Sequence, residues 1–157
     1  MPSEIDLFLD YVRNARDMGS RPGTPASEQE IHGFELRYNL KLPPDMREYF
    51  LKINGVWCEG TTVPRLYELS EWQRLVETEL YGALYQDHAK QVADDVGKYF
   101  ILGICPGAWI VQLDATAVSK QPVYLLWDKA ILIADSLSDF LQKYRISDGK
   151  SVMPFFG

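Results

Sequence analysis

The sequence has 157 residues, of which 46% are hydrophobic and 13% aromatic, a globular composition that excludes a disordered or fibrous chain. Sixteen basic against twenty-two acidic residues give a net charge of −6, which argues against direct binding to nucleic acid and favours a basic protein surface as partner. The length predicts a single domain over residues 1–157, and we favour a monomer.

Two features predict a cytoplasmic protein. Cys58 and Cys105 are too isolated for a disulfide framework or a zinc site. The amino terminus lacks the basic and apolar runs of an export signal, and no stretch is long and apolar enough for a membrane helix. We therefore expect reduced thiols and no association with a membrane.

The first predicted element is an amphipathic helix. Ser3 and Asp6 have the spacing of an N-cap and its partner, and apolar residues at helical spacing continue to about Met18. Residues 19–25 are rich in glycine, proline and small polar residues, so they predict a loop.

Two further helices form a corner. A capping box of Ser27 and Glu30 predicts the start of the second helix. Pro44 has the fixed φ of a first helical position, and an apolar stripe follows it. Asn54 and Gly55 predict the end of this third helix because both readily adopt positive φ.

The middle of the chain has a weaker pattern. Residues 56–60 predict irregular structure, and residues 61–69, which Pro64 interrupts, predict at most a short or edge strand. A capping box that begins at Ser70 predicts a helix that carries Trp72. A further helical segment is possible over residues 88–96.

From Tyr99 the pattern changes to short apolar runs separated by turns, which predict strands. These runs are Tyr99–Ile104, Ala108–Leu113, Val123–Trp127 and Ala130–Ile133. Tight connections at Pro106 and Gly107 and at Asp128 and Lys129 favour antiparallel order. Ser136 predicts the cap of a last helix. The predicted fold is therefore α+β, with a mainly antiparallel sheet of about four to six strands flanked by helices.

The order of these motifs resembles the SUKH superfamily over roughly residues 25–145. The structural motif that carries the resemblance consists of Glu35, Leu42, Pro43, Asn54 and Gly55. Further matching positions are Phe100–Gly103, Asp114, Val123, Tyr124, Ile133–Ser136 and Asp139–Leu141. Residues 104–109 differ from the turn rich in glycine and aspartate that many members have, so we transfer no binding residue to them.

The resemblance implies a non-catalytic protein-binding module. The superfamily includes yeast cell-wall regulators and many bacterial immunity proteins, each of which blocks a cognate polymorphic toxin, often a nuclease or a deaminase. We therefore expect an immunity protein that occludes the active site of a basic toxin domain. A regulatory scaffold in a signalling or cell-wall pathway is the alternative, and an enzyme acting on a small molecule is the third possibility.

The residues themselves give little sign of catalysis. His32 and His88 lack metal-ligand spacing, and Cys105 has no histidine near it in sequence, so we predict no catalytic residue, metal or cofactor. Glu35 is predicted on the core side of its helix, where a carboxylate needs partners. We expect it to accept hydrogen bonds from the main chain of the following corner rather than to bind a ligand.

The candidate partner-binding residues are an aromatic side chain and nearby acids. Trp57 follows the helix stop and has no periodic reason to be buried, and an exposed tryptophan beside acids is typical of protein interfaces. The predicted contact residues are Trp57, Glu59, Glu77, Glu79, Asp94 and Asp95.

Overall fold

The structure is a computed structural model that describes residues 2–14, 20–58, 64–78, 96–105, 107–113, 121–127 and 129–153. The helices are α1 (Glu4–Asn14), α2 (Glu28–Tyr38), α3 (Pro44–Lys52) and α4 (Leu137–Ser147). The strands are β1 (Ser20–Pro22), β2 (Val56–Cys58), β3 (Arg65–Leu66), β4 (Tyr99–Ile104), β5 (Ala108–Gln112), β6 (Val123–Leu126) and β7 (Ala130–Ala134). Short 3-10 helices lie at Leu69–Glu71, Leu75–Glu77, Val96–Lys98 and Lys150–Val152.

The strands form one antiparallel sheet in which each strand pairs with its neighbour in the chain, in the order β1 to β7. The α+β class and the antiparallel sheet are confirmed. The predicted range of four to six strands is too low, because the described part of the chain contributes seven. The four apolar runs after Tyr99 correspond to β4–β7, with bounds that differ by no more than one residue from those predicted.

Three short strands at one edge account for the difference. β1 lies in the predicted loop and β2 in the segment predicted to be irregular, and they have three residues each. β3 has two residues and lies between β2 and β4, so it is interior rather than an edge strand. Strands this short contain too few residues for an alternating pattern, and their pairing partners are distant in sequence.

The predicted helix after Ser70 is wrong. A capping box is present, but Glu68 and Glu71 form it, and it closes only a 3-10 turn. The chain then joins the sheet, because Arg74 forms a bridge with Phe100 and the Gln73 carbonyl accepts a hydrogen bond from Ile101 N at 3.1 Å. These main-chain bonds are unavailable to a continuing helix. Of the helical segment considered at 88–96, only Val96 lies within the described residues, and a 3-10 helix begins there.

The four helices among the described residues cover one face of the sheet. Their buried residues recur at helical spacing and pack with alternate residues of the strands in one apolar core. Examples from α1, α2, α3 and α4 are Phe8, Phe34, Phe50 and Phe140. A second apolar cluster on the opposite face of the sheet is centred on Ile101 and Ile110, which pair across β4 and β5.

The predicted helix caps at three positions are confirmed. Ser3 Oγ accepts a hydrogen bond from Asp6 N at 3.1 Å, and Ser136 Oγ accepts one from Asp139 N at the same distance. Ser27 and Glu30 form both bonds of a capping box at the start of α2. Each cap satisfies a main-chain N–H group that has no partner within its helix.

The corner after α3 depends on the backbone conformation of two residues. Asn54 has φ +53° and Gly55 has φ +91°. Asn54 is 5% exposed, and its Nδ2 donates to Thr24 O at 2.6 Å, while its Oδ1 accepts from Leu69 N at 2.8 Å. The Asn54 side chain therefore joins the end of α3 to the loop after β1 and to the first 3-10 helix after β3.

Glu35 connects α2 to the same corner. Its Oε2 accepts a hydrogen bond from Leu42 N at 2.8 Å, just before the two prolines at the start of α3.

We expect Glu35→Gln to change the free energy of unfolding little, because an amide oxygen accepts the same bond. Glu35→Ala should cost about 1 to 3 kcal/mol by leaving Leu42 N unpaired. Urea unfolding of the two variants measures the difference, and a Glu35→Ala protein of unchanged stability that no longer binds its partner would contradict this role.

Candidate partner-binding surface

Trp57 lies in β2, on the face of the sheet opposite the helices. Its neighbour Val56 packs into the core beneath the helices, so alternation along the strand directs Trp57 to the other face. Trp57 pairs with Arg21 of β1 in the sheet. The expectation of an exposed loop residue is therefore corrected, because Trp57 is a half-buried strand residue whose position the sheet fixes.

The indole of Trp57 is held by one arginine and one glutamate. The guanidinium carbon of Arg65 lies 3.5 Å from the ring centroid, and the indole Nε1 donates a hydrogen bond to Glu68 Oε1 at 3.1 Å. Arg65 also lies over the ring of Tyr67 and forms a salt bridge with Glu71. We call these five residues, Trp57, Arg65, Tyr67, Glu68 and Glu71, the Trp57 cluster.

A local capping box and a long-range strand pairing together explain the geometry of this cluster. The capping box fixes both acids, because Glu68 N donates to Glu71 Oε1 at 3.0 Å while the Glu68 side chain accepts from the main chain of the turn. Arg65 is placed by its pairing with Ile104 in β4. A cation stacked on a tryptophan contributes about 0.5 to 2 kcal/mol, depending on its burial. Trp57 is therefore pre-ordered, with a positive as well as a negative group beside it.

Glu77 belongs to a separate group of side chains. Its Oε2 accepts a hydrogen bond from the Tyr38 hydroxyl at 3.4 Å and lies 4.0 Å from Arg37 Nη2. The guanidinium carbons of Arg37 and Arg74 each lie 5.1 Å from the centroid of the Tyr38 ring. We call these four residues, Arg37, Tyr38, Arg74 and Glu77, the Tyr38 cluster. Burial is the main reason that the pKa of Tyr38 is raised, and the negative charge of Glu77 adds to it.

Within the described part of the chain, the predicted contact residues do not lie together on one surface. Trp57 and Glu77 lie in the two clusters just defined, and each has its own partners. Glu59, Glu79, Asp94 and Asp95 lie outside the described residues. Arg65 and Arg74 were not predicted as functional residues, and their signal in the sequence is only that each precedes a short apolar segment.

Two cavities open near these elements. One, of about 250 Å³, lies between α2 and the 3-10 helix at Leu69–Glu71, and its lining includes Phe34, Arg37 and Trp72. The other, of about 260 Å³, lies between α1, β1, β2 and the end of α4. At its edge the Tyr11 hydroxyl donates to Asp148 Oδ1 at 2.7 Å, and burial raises the pKa of Tyr11.

The buried thiol of Cys105 has low reactivity. Burial raises the pKa of Cys105 to about 11, so its thiol stays protonated at neutral pH and is a poor nucleophile. No three histidine, cysteine, aspartate or glutamate residues within the described ranges are placed to hold a metal ion. Among those same residues, no helix has the length and apolarity to cross a membrane.

The sequence profile of the SMI1 / KNR4 family (SUKH-1) matches residues 25–143. The chain belongs to this family. The match confirms the resemblance, which was placed at roughly residues 25–145. No curated protein matches the sequence significantly.

The SUKH-1 match covers the parts of the fold that carry both clusters. It runs from the loop before α2 into α4 and includes β2–β7, whereas α1 and β1 precede it. The SUKH family is generally non-catalytic and is known for immunity-protein-like members. Membership in this family suggests interaction with another protein.

Proposed function

We propose that this chain is an immunity protein that binds a cognate polymorphic toxin in the cytoplasm and neutralises it by covering the active site. The observation that carries this proposal is the SUKH-1 match over residues 25–143. The whole chain would act as one such domain. The toxin domain would be basic, of the nuclease or deaminase class, because a net charge of −6 favours a partner of opposite charge.

The proposed contact surface includes the Trp57 cluster. Trp57 is half-buried and pre-ordered by Arg65 and Glu68, so a partner that covers it loses little side-chain entropy. Ordered aromatic residues next to arginine are the residue types that dominate binding energy in protein interfaces. The proposed charged contacts Glu59, Glu77, Glu79, Asp94 and Asp95 would act mainly during encounter.

The deciding experiment for immunity tests whether the neighbouring gene encodes a toxin domain and whether this protein neutralises it. Cells that express the toxin domain should survive only with this protein, and the purified proteins should form a complex. A neighbouring gene without toxin activity, together with capture of a signalling or cell-wall protein, would instead support the scaffold alternative. Turnover of a small molecule that is lost after a single carboxylate substitution would support an enzyme.

The binding mechanism predicts different kinetic effects for charge and for the aromatic ring. The association rate should fall as salt rises, because charges steer the encounter and the Debye length is only about 10 Å at 0.1 M salt. Combining Asp94→Lys with Asp95→Lys should mainly slow association. Trp57→Ala should instead speed dissociation by about tenfold, as expected for a buried aromatic anchor. Surface plasmon resonance at several salt concentrations measures both rates.

Trp57→Phe is the matched control for this prediction. A phenyl ring remains beneath Arg65 but loses the hydrogen bond to Glu68, so its dissociation rate should lie between those of the wild type and Trp57→Ala. An association rate that does not change with salt would rule out electrostatic steering. Full protection by a stably folded Trp57→Ala protein would remove the Trp57 cluster from the interface.

A further inference from the structure

The cavity beside α2 has an apolar lining next to polar groups. Phe34, Leu69 and Trp72 line it with buried side chains, and Glu30, Arg37 and Ser70 add polar groups. A cavity of about 150 Å³ is large enough to hold one benzene ring. The volume here is about 250 Å³, so it accommodates one aromatic side chain of a partner.

Gly33 lies in this lining and has no structural reason to be glycine. It is within α2, where glycine destabilises a helix relative to alanine. A Cβ atom built on Gly33 would meet no atom within 4 Å, whereas one built on Gly103 would lie 2.3 Å from a main-chain oxygen. The fold therefore tolerates a side chain at position 33. The absence of a side chain at position 33 leaves open space at the cavity.

The Tyr38 cluster adjoins the cavity and carries an incompletely paired cation. Arg37 belongs to both, and the rings of Phe34 and Tyr38 are 4.9 Å apart. The cluster contains two arginines and one glutamate, which makes it a positive spot on an acidic chain. Within the described residues, Arg74 Nε is buried without a hydrogen-bond partner, and no salt bridge holds its guanidinium. Arg74 as a whole is only half-buried, so a carboxylate that reaches the rest of its guanidinium forms strong, charge-assisted hydrogen bonds with it.

The geometry points to a docking site for an extended protein segment in which an acidic residue is adjacent to an aromatic one. The carboxylate binds Arg74 and Arg37, and the aromatic ring enters the cavity past Gly33 to contact Phe34 and Trp72. Charge complementarity selects the acid, and the apolar lining selects the ring. Net charge steers the whole partner, whereas this site recognises a single acidic residue on it. That the segment belongs to the toxin rests on the proposed function.

The first test uses two capped dipeptides as probes, N-acetyl-Asp-Trp-amide and its matched control N-acetyl-Lys-Trp-amide. Nuclear magnetic resonance of ¹⁵N-labelled protein should show shifts at the Gly33 amide, the Trp72 indole and Arg74 Nε with the acidic probe. The lysine probe should bind about tenfold more weakly, since it lacks the charge-assisted hydrogen bonds. Equal binding of the two probes, shifts elsewhere on the protein, or equally effective displacement by inorganic phosphate would overturn the assignment.

Substitutions at the site separate the roles of space and charge. Gly33→Trp should weaken the acidic probe about tenfold by filling the cavity, whereas Leu36→Trp places the same side chain at an exposed position of the same helix and should have no effect. Arg74→Gln should reduce the preference for aspartate over lysine, since Arg37 remains. Unchanged probe affinity in Gly33→Trp would contradict the site even if Arg74→Gln failed to fold.

The toxin domain then distinguishes failure of this inference from failure of the proposed function. If the toxin binds the wild type, Gly33→Trp and Arg74→Gln with equal affinity, immunity stands and the docking site does not contribute to it. If the acidic probe binds as expected while the toxin does not bind the wild type, the docking site stands and the proposed function fails.

Discussion

Asn54→Ala should be among the most destabilising single substitutions in this protein. Alanine loses both side-chain hydrogen bonds, which leaves Leu69 N without this partner in a buried position and Thr24 O without its partner in a partly buried one. It also tolerates the positive φ of +53° less well than asparagine does. Together we expect a loss of about 3 to 5 kcal/mol in the free energy of unfolding, measured by urea denaturation.

Asn54→Gly separates the two causes. Glycine adopts positive φ without strain but makes neither hydrogen bond, so it should be about 1 kcal/mol more stable than the alanine variant. Equal stability of the two variants would mean that backbone conformation contributes nothing here. A loss below about 1 kcal/mol in Asn54→Ala would contradict the role of the hydrogen bonds.

The Asn54 side chain also connects the fold to the proposed sites. Leu69, whose N–H it binds, lines the cavity beside α2 and follows Glu68, which holds the Trp57 indole. The same corner binds the loop after β1, because Gly23 N donates to Gly55 O at 2.9 Å. We therefore expect destabilisation at position 54 to loosen both surfaces.

Local sequence is sufficient to predict the helices and the longer strands of this fold. The capping residues Ser3, Ser27 and Ser136 each bind a main-chain group only three residues away, so the whole signal lies within one helical turn. The apolar runs of β4–β7 are long enough to show burial. These elements need no information from elsewhere in the chain.

The candidate site depends on pairings that local sequence does not contain. The pairing of β1, β2 and β3 places Trp57 on the face of the sheet opposite the helices. Those strands have only two or three residues each. The indole partner of Trp57, Glu68, comes 11 residues later. The Tyr38 hydroxyl binds Glu77 across 39 residues of chain. A charge count finds these acids but does not reveal that arginines lie beside them.

Gly103→Ala should separate the short-stranded edge from the rest of the sheet. A Cβ atom at Gly103 would lie 2.3 Å from Arg65 O and 3.0 Å from Leu66 Cα. Both are main-chain atoms, so no side-chain rotation relieves the clash. β3 must move away from β4, whose pairing with β5 on the other side is already irregular between Ile101 and Gly103. Overpacking and the lost ladder bonds should together cost about 2 to 4 kcal/mol.

The location of the lost amide protection distinguishes this prediction from a general loss of stability. Tyr67 N donates to Leu102 O at 2.9 Å, so its amide should exchange with solvent much faster in Gly103→Ala, while amides between β5 and β6 stay protected. Gly33→Ala is the matched control, because it adds the same methyl group in open space and should stabilise α2 by about 0.5 to 1 kcal/mol. Since Arg65 and Trp57 move with β3, toxin affinity should fall in Gly103→Ala. A variant with native exchange at Tyr67 would show that the two strands tolerate the added carbon.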